Sequence, residues 1–284
     1  MTFLTLINGQ VEQTVPVTDR GLAYGDGLFE TCRIVEGSIP LFDLHWQRLS
    51  LGARRLALPL PFDRDSLLSS LLQTVPETGL AKLIVTRGSG GRGYCPPEKA
   101  NVCWVIQGMA LPETPSVLYQ RGVKVRRCQL ELSAQPILAG LKHLNRLEQV
   151  LARSEWHEPD IFDGLLFDQQ GNLIESTVCN VFLLHNKQWI TPILDQCGVA
   201  GVMRATIQDV CDQEGLTCIE QQITSELLLQ SEALFLCNSV RGILPVRCWT
   251  DAGGDVLKIW SVLHPSVKKL ISLVHPRLQL PVFN

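Results

Sequence analysis

The sequence predicts an α/β (α+β) protein of two domains, and three observations carry that expectation. Short apolar runs bounded by glycine, asparagine and proline alternate along the chain with amphipathic stretches of helical period. One proline-rich stretch, Leu111-Pro112-Glu113-Thr114-Pro115-Ser116, interrupts that alternation and reads as a linker. The length, 284 residues, leaves room for a real core on each side of it. The expected division is a smaller N-terminal α/β domain over 1–112, a linker over 113–118, and a larger C-terminal domain over 119–284.

In the first domain, Phe3 to Ile7 reads as a strand, and Asn8-Gly9 is a two-residue hairpin turn leading to a return over Gln10 to Val17. The run Asp19 to Gly27 holds three glycines in seven residues and reads as a tightly turning loop. Leu28 to Val35 is a strand, Glu36-Gly37 a turn, and Ile39 to Phe42 its return. Asp43 is the expected N-cap of a helix whose buried face carries Trp46, Leu49, Ala53 and Leu56. Arg48 lies beside that stripe, either as surface charge or as a bidentate partner for a phosphate. A second helix covers Asp65 to Gln73. Ala81 to Thr86 is a buried strand, and Asn101 to Gly108 is another.

Between those strands lies Arg87-Gly88-Ser89-Gly90-Gly91-Arg92-Gly93-Tyr94. Its glycines satisfy G-x-G-x-x-G, but Tyr94-Cys95-Pro96-Pro97 follows, so no helix N-terminus is there to hold a pyrophosphate. No Gly-Lys-Ser/Thr closes it as a phosphate loop either. It reads as a mobile substrate loop carrying Arg92 and Tyr94, or as an ordinary glycine hairpin.

In the second domain, Gly122 to Leu130 is a strand. The stretch Leu141 to Leu151 has helical spacing, with Leu144, Leu147, Val150 and Leu151 on one face. Lys142 would then sit at the first turn, where the helix dipole and partial burial favour a neutral amine, the form a Schiff-base lysine needs. A solvated lysine at a helix start is the alternative. Phe162 to Asp168 and Val178 to His185 are strands. Glu175 lies between them in apolar company, where a carboxylate is costly unless a cation meets it. Asn186-Lys187 turns the chain back to Trp189. Gly198-Val199-Ala200-Gly201-Val202-Met203-Arg204 opens an amphipathic helix and offers either an anion site on backbone N–H groups or a plain junction. Ala233 to Cys237 is a strand ending on Asn238-Ser239, and Val256 to Val274 is a helical segment interrupted near His264-Pro265.

Composition excludes several classes. A net charge of −3 gives no electrostatic case for nucleic acid or an anionic membrane. The ten cysteines form no C-x-x-C pair, and several lie in apolar runs, which suits buried thiols in a reducing compartment better than a disulfide framework or a zinc site. No apolar stretch reaches membrane-spanning length, and the N-terminus has no signal-peptide pattern, so the expected location is the cytoplasm.

Taken together, Tyr24-Gly25-Asp26-Gly27-Leu28-Phe29-Glu30-Thr31, His45-Trp46-Gln47-Arg48-Leu49, Lys142-His143-Leu144-Asn145, Glu175-Ser176-Thr177 and Gly201-Val202-Met203-Arg204 resemble the fold-type IV pyridoxal-phosphate family. That family includes branched-chain and D-amino-acid aminotransferases and aminodeoxychorismate lyases. The match runs in order from about Ile7 to Pro245, and Thr86 to Tyr94 with Leu141 to Leu151 resembles the lyases most.

The resemblance implies a D-amino-acid-aminotransferase-like fold of two domains with pyridoxal 5′-phosphate between them, in a homodimer. It implies Lys142, in the larger domain, as the Schiff-base lysine that later shuttles the proton. Arg48 and the backbone N–H groups of Val202 and Met203 would hold the phosphate. Glu175 would face the pyridine nitrogen, and Asn238 and Ser239 would make further cofactor contacts. Thr31 would line the substrate side as a hydrogen-bond or proton donor. Arg92 matches a carboxylate-trapping arginine of the D-amino-acid aminotransferases, while Tyr94 and Phe29 stand where those enzymes use histidine and tyrosine. The implied activity is conversion of 4-amino-4-deoxychorismate to 4-aminobenzoate and pyruvate. The alternatives are D- or branched-chain transamination, or cofactor binding without turnover. The implied partner is a small-molecule substrate, with no nucleic acid and no membrane.

Overall fold

The computed structural model describes residues 2–262 and 264–282. The chain divides into two compact units, one of Met1–Glu113 with Leu141–Asn145, the other of Thr114–Gly140 with Arg146–Asn284.

The first unit is built on β1 (Thr5–Ile7), β2 (Gln10–Val11), α1 (Arg20–Tyr24), β3 (Gly27–Ile34), α2 (Phe42–Arg55), α3 (Arg64–Gln73), β4 (Gly79–Thr86) and β5 (Cys103–Met109). Its strands form an antiparallel sheet in the order β2-β1-β5-β4-β3. The Asn8-Gly9 turn has positive φ at both residues, the geometry that suits the right-handed twist of a two-residue hairpin. Strand alternation sorts β3 cleanly. Leu28, Cys32 and Ile34 face a core shared with Ala81, Leu83, Val85 and Ile106, which Leu49 and Ala53 of α2 and Leu67 and Leu71 of α3 cover. Glu30 lies on this same core face, while Phe29 and Thr31 point to the other, pairing across the sheet with Ile84 and Lys82.

The second unit follows as α4 (Ser116–Arg121), β6 (Val123–Leu132), α5 (Leu147–Arg153), β7 (Ile161–Asp168), β8 (Leu173–Ser176), β9 (Asn180–His185), β10 (Gln188–Pro192), α6 (Val202–Gln213), β11 (Cys218–Gln221), α7 (Ser225–Gln230), β12 (Ala233–Asn238), β13 (Gly242–Thr250), β14 (Val256–Ile259) and α8 (Pro265–Val274). The strands form one mixed sheet, β11-β10-β9-β12-β13-β6-β7-β8, with β14 pairing β13. The central strands β9 and β12 read as nearly continuous apolar runs because both their faces are covered.

Several expected elements differ. The glycine-rich run after Asp19 contains a short helix, α1, because the Asp19 carboxylate caps it by accepting from the N–H groups of Gly21 and Leu22, and Gly25 ends it in the left-handed region. The hairpin return stops at Val11. Ile39 to Phe42 is not a strand, since only Val35 and Ser38 bridge there. Leu41, not Asp43, is the N-cap of α2, and Asp43 pairs instead with Arg64. Val256–Ile259 is a strand rather than the start of a closing helix.

The largest difference concerns Lys142. Residues 141–145 are extended, and the helix begins at Leu147. The expected spacing survives on α5, but Leu147, Val150 and Leu151 are all exposed. The reason is a tertiary pairing. The Lys142 carbonyl accepts from the Phe29 N–H, and the Leu144 N–H donates to the Gly27 carbonyl, both at 3.0 Å, so the segment is laid antiparallel along β3. This pairing also groups Lys142 with the first unit, in contrast to its expected place in the larger C-terminal domain.

Candidate active site

In the first unit, the segment beside β3 carries Lys142, and its Nζ lies 4.2 Å from the centre of the Phe29 ring. An amine over an aromatic face is held by the ring's quadrupole. Thr31 follows on the same face of β3, half-buried. The helix-dipole reason expected for a neutral Lys142 does not hold here, because no helix begins at this lysine.

The other face of β3 carries an ionic cluster. Glu30 is 2% exposed and would be costly there without partners. Arg48 supplies them from α2, with Nε 2.8 Å from Oε1 and Nη2 2.5 Å from Oε2, and His45 Nδ1 lies 2.7 Å from Oε2. Burial alone would push the Glu30 carboxyl up. The Arg48 charge and the hydrogen bonds from His45 and Arg48 outweigh it and hold that carboxyl down at about 2. Arg48 is thus fixed by a planar, bidentate contact on a strand. Cys32, next on the core face, is driven up by burial and by Glu30, so its thiol stays protonated.

In the second unit, Glu175 is buried near the end of β8. Its Oε2 accepts from the Val199 N–H at 2.9 Å, and its Oε1 lies 3.5 Å from Gln149 Nε2. Asp163 secures the residues that follow. It is fully buried, and it accepts from Ser176 Oγ and Thr177 Oγ1, each at 2.6 Å, and from the Gly164 and Thr177 N–H groups. Burial nevertheless raises its carboxyl above the usual range.

Helix α6 begins after Gly201 with no side-chain cap. The N–H groups of Val202 and Met203 belong to its first turn, where no intrahelical acceptor exists. A methyl at Gly201 would run into Asn180 Oδ1, so the glycine lets the Asn180 amide reach the Val199 carbonyl at 2.8 Å. Arg204 fastens the turn from behind, through the Thr191 hydroxyl, the Pro192 carbonyl and Glu220. Asn238 closes β12 onto β13, its Oδ1 accepting from the Val240 and Arg241 N–H groups. Ser239 follows in the same turn.

Arg92 and Tyr94 stand exposed on the loop after β4, with Tyr94 packed edge-on against Tyr24 at 5.4 Å. Sequence reading missed Glu30, His45 and Asp163. For Glu30 and Asp163 the signal was a charged residue at an inward position of an apolar strand, as Glu30 stands between Leu28 and Cys32; His45 lies on α2.

The model of the amino-transferase class IV family matches residues 27–249. The chain belongs to that family, and its architecture is that of the fold-type IV enzymes. Among its relatives, aminodeoxychorismate lyase of Vibrio harveyi is 34% identical over 84% of this chain and 89% of its own. A putative branched-chain-amino-acid aminotransferase of Methanocaldococcus jannaschii is 29% identical over 82% and 81%. The crystal structure of 4-amino-4-deoxychorismate lyase from Pseudomonas aeruginosa superimposes with a TM-score of 0.88 at 39% identity, covering 96% of this chain and 98% of that one. No helix among the described residues is long and apolar enough to cross a membrane.

Proposed function

We propose that this protein is a pyridoxal-phosphate-dependent lyase that converts 4-amino-4-deoxychorismate to 4-aminobenzoate and pyruvate. The observation that supports this most is the 39% identity to the Pseudomonas lyase across nearly the whole of both chains. The cofactor is pyridoxal 5′-phosphate, and the residues present fit it. An uncapped helix start and an anchored guanidinium suit its phosphate, and a buried carboxylate suits its ring nitrogen.

On this reading Arg48 and the N–H groups of Val202 and Met203 hold the phosphate. Glu175 keeps the ring nitrogen protonated, and the Val199 N–H, donating to its Oε2, fixes how the carboxylate is turned. Asn238 folds the turn that presents Ser239. When bound, the cofactor supplies a ring that accepts the electrons of a broken C–H bond. Lys142 Nζ takes the proton from the amine-bearing carbon of the substrate and holds it. Phe29 shields one side of that amine from water. Arg92 and Tyr94 meet the substrate's carboxylates, and Thr31 donates toward the departing group. Loss of the enolpyruvyl ether leaves an aromatic ring, which drives the step.

The chain is also read as a cytoplasmic homodimer. All ten cysteines are free thiols. Leu147, Val150 and Leu151 share a helix face that is 51–68% exposed, an apolar surface that a second copy would cover. Light scattering of Leu147→Lys tests this, with a shift toward monomer expected.

The function is tested by supplying chorismate, glutamine and an aminodeoxychorismate synthase and measuring both products. Equal 4-aminobenzoate and pyruvate, dependent on this protein, is the expected result. Transamination of a D- or branched-chain amino acid with 2-oxoglutarate, and no 4-aminobenzoate, would replace the lyase by an aminotransferase. Lys142→Ala is expected to lower turnover by at least ~10³-fold and to abolish the visible band of the bound cofactor.

A further inference from the structure

Arg20 opens α1 and is 4% exposed, so its guanidinium must find acceptors inside the protein. It finds them on a single loop. Nη1 donates to the Gly93 carbonyl at 3.0 Å and the Cys95 carbonyl at 3.4 Å, and Nη2 donates to the Tyr94 carbonyl at 3.0 Å. Three consecutive carbonyls converge on one cation only if the loop folds back around it.

The cation itself is held. Nε donates to Asp26 at 2.9 Å, and Arg87 grips both oxygens of the same carboxylate, at 2.9 and 3.1 Å. Arg87 in turn donates to the carbonyls of Leu56 and Ala57, which ties the assembly to the end of α2. The near end of the loop is closed through the Arg20 N–H, which donates to the Gly88 carbonyl at 2.9 Å. Gly88 has positive φ, and a methyl there would strike the Asn101 carbonyl. Tyr24 completes the enclosure, with the Arg20 guanidinium 5.0 Å from its ring centre and Tyr94 edge-on to it.

A loop with glycine at 88, 90, 91 and 93 has an unusually large conformational freedom to lose. A buried guanidinium bonded to three of its carbonyls selects one conformation. The side chains this leaves outside include those of Arg92 and Tyr94, with Cys95 beside them. We infer that Arg20, anchored by Asp26, is a positioning residue for substrate recognition: it sets the fold of residues 88–95 and thereby presents Arg92 and Tyr94 to the carboxylates of the substrate. The inference rests on the reading of this loop as substrate-binding under Proposed function. Lysine cannot replace Arg20, since an ammonium lacks the planar fork that meets Asp26 and three carbonyls together.

Two measurements on the cofactor-loaded enzyme keep the inference separate from that reading. The first is cleavage of the Arg92–Gly93 bond by trypsin, followed by mass spectrometry. Arg20→Lys and Asp26→Asn are each expected to be cut about tenfold faster than the unmodified protein, with the same far-ultraviolet circular dichroism. The second is steady-state kinetics, where the KM for 4-amino-4-deoxychorismate is expected to rise about 10- to 100-fold while kcat and cofactor affinity change little. Unchanged cleavage in both variants overturns the inference whatever the substrate is. Faster cleavage with an unchanged KM, in a protein that forms 4-aminobenzoate, overturns the role in recognition. If the unmodified protein forms no 4-aminobenzoate, the functional reading falls, and the role in presenting substrate falls with it; the cleavage result then still decides whether Arg20 holds the loop.

Discussion

On the proposed function Arg48 and the first turn of α6 would each contact a phosphate, yet Arg48 is a charge held by another charge, whereas α6 would offer main-chain N–H groups. The Arg48 guanidinium is fixed on buried Glu30, so its position is part of the folding of the first unit. The α6 turn has an ion pair, Arg204 with Glu220, behind it, and the N–H groups it presents depend on shape, on Gly201 leaving space for Asn180. An ionic anchor couples cofactor binding to stability and to pH. A dipolar cradle couples it to packing alone. Substitutions in the two places should therefore fail in different ways.

The largest effect is expected at Arg48. Arg48→Leu leaves Glu30 buried beside His45 without its guanidinium, and stranding one member of a buried pair costs about 3–5 kcal/mol. For a chain of this size the unfolding midpoint should fall on the order of 10 °C. Cofactor affinity should fall as well. Adding Glu30→Gln to Arg48→Leu should restore much of the midpoint but none of the affinity, measured by thermal unfolding and cofactor titration. Recovery of both together would show that Arg48 serves the fold and not the phosphate.

Glu30 also gives the ionic anchor a pH signature of its own. Its carboxyl is held at about 2, below the ~4.3 of an unfolded chain. The unfolded state therefore takes up the proton first. The stabilisation is complete above pH ~4.5 and drains away as the pH falls toward 2, on the order of 3 kcal/mol in all. Urea unfolding between pH 6 and 3 should show this slope in the unmodified protein and a shallower one in Glu30→Gln. Equal slopes would mean that Glu30 is not the group that titrates.

How much of this was legible in the sequence depends on whether a residue's role is local. The two-residue turn at Asn8-Gly9 and the inward stripe Leu28-Cys32-Ile34 follow from local turn chemistry and strand alternation, and reading along the chain finds them. Glu30 does not. It stands at an inward position of a strand, and only the arrival of α2 on that face supplies Arg48 and His45. Lys142 shows the opposite failure. The spacing of Leu144, Leu147 and Leu151 is helical, yet main-chain bonds to Gly27 and Phe29, more than a hundred residues earlier, hold 141–145 extended. The fold class was readable because it sums many local signals. The ionic anchor and the extended lysine segment were not, because each is decided by a strand far away in sequence.

The smallest effect, and the sharpest on the dipolar side, is expected from Gly201→Ala. The φ of this residue is −70°, so alanine brings no backbone strain and the whole effect is steric. Its methyl would displace the Asn180 side chain, which holds the Val199 carbonyl, and the Val199 N–H in turn bonds Glu175. The disturbance therefore reaches both the phosphate cradle and the carboxylate assigned to the ring nitrogen. A cost of about 1–3 kcal/mol is expected from such overpacking, with cofactor affinity reduced about tenfold. Because no charge has changed, the acid-unfolding slope should match that of the unmodified protein. Weaker cofactor binding with that slope intact would separate the two ways of holding one phosphate. A slope altered as in Glu30→Gln would show that the two are a single coupled assembly.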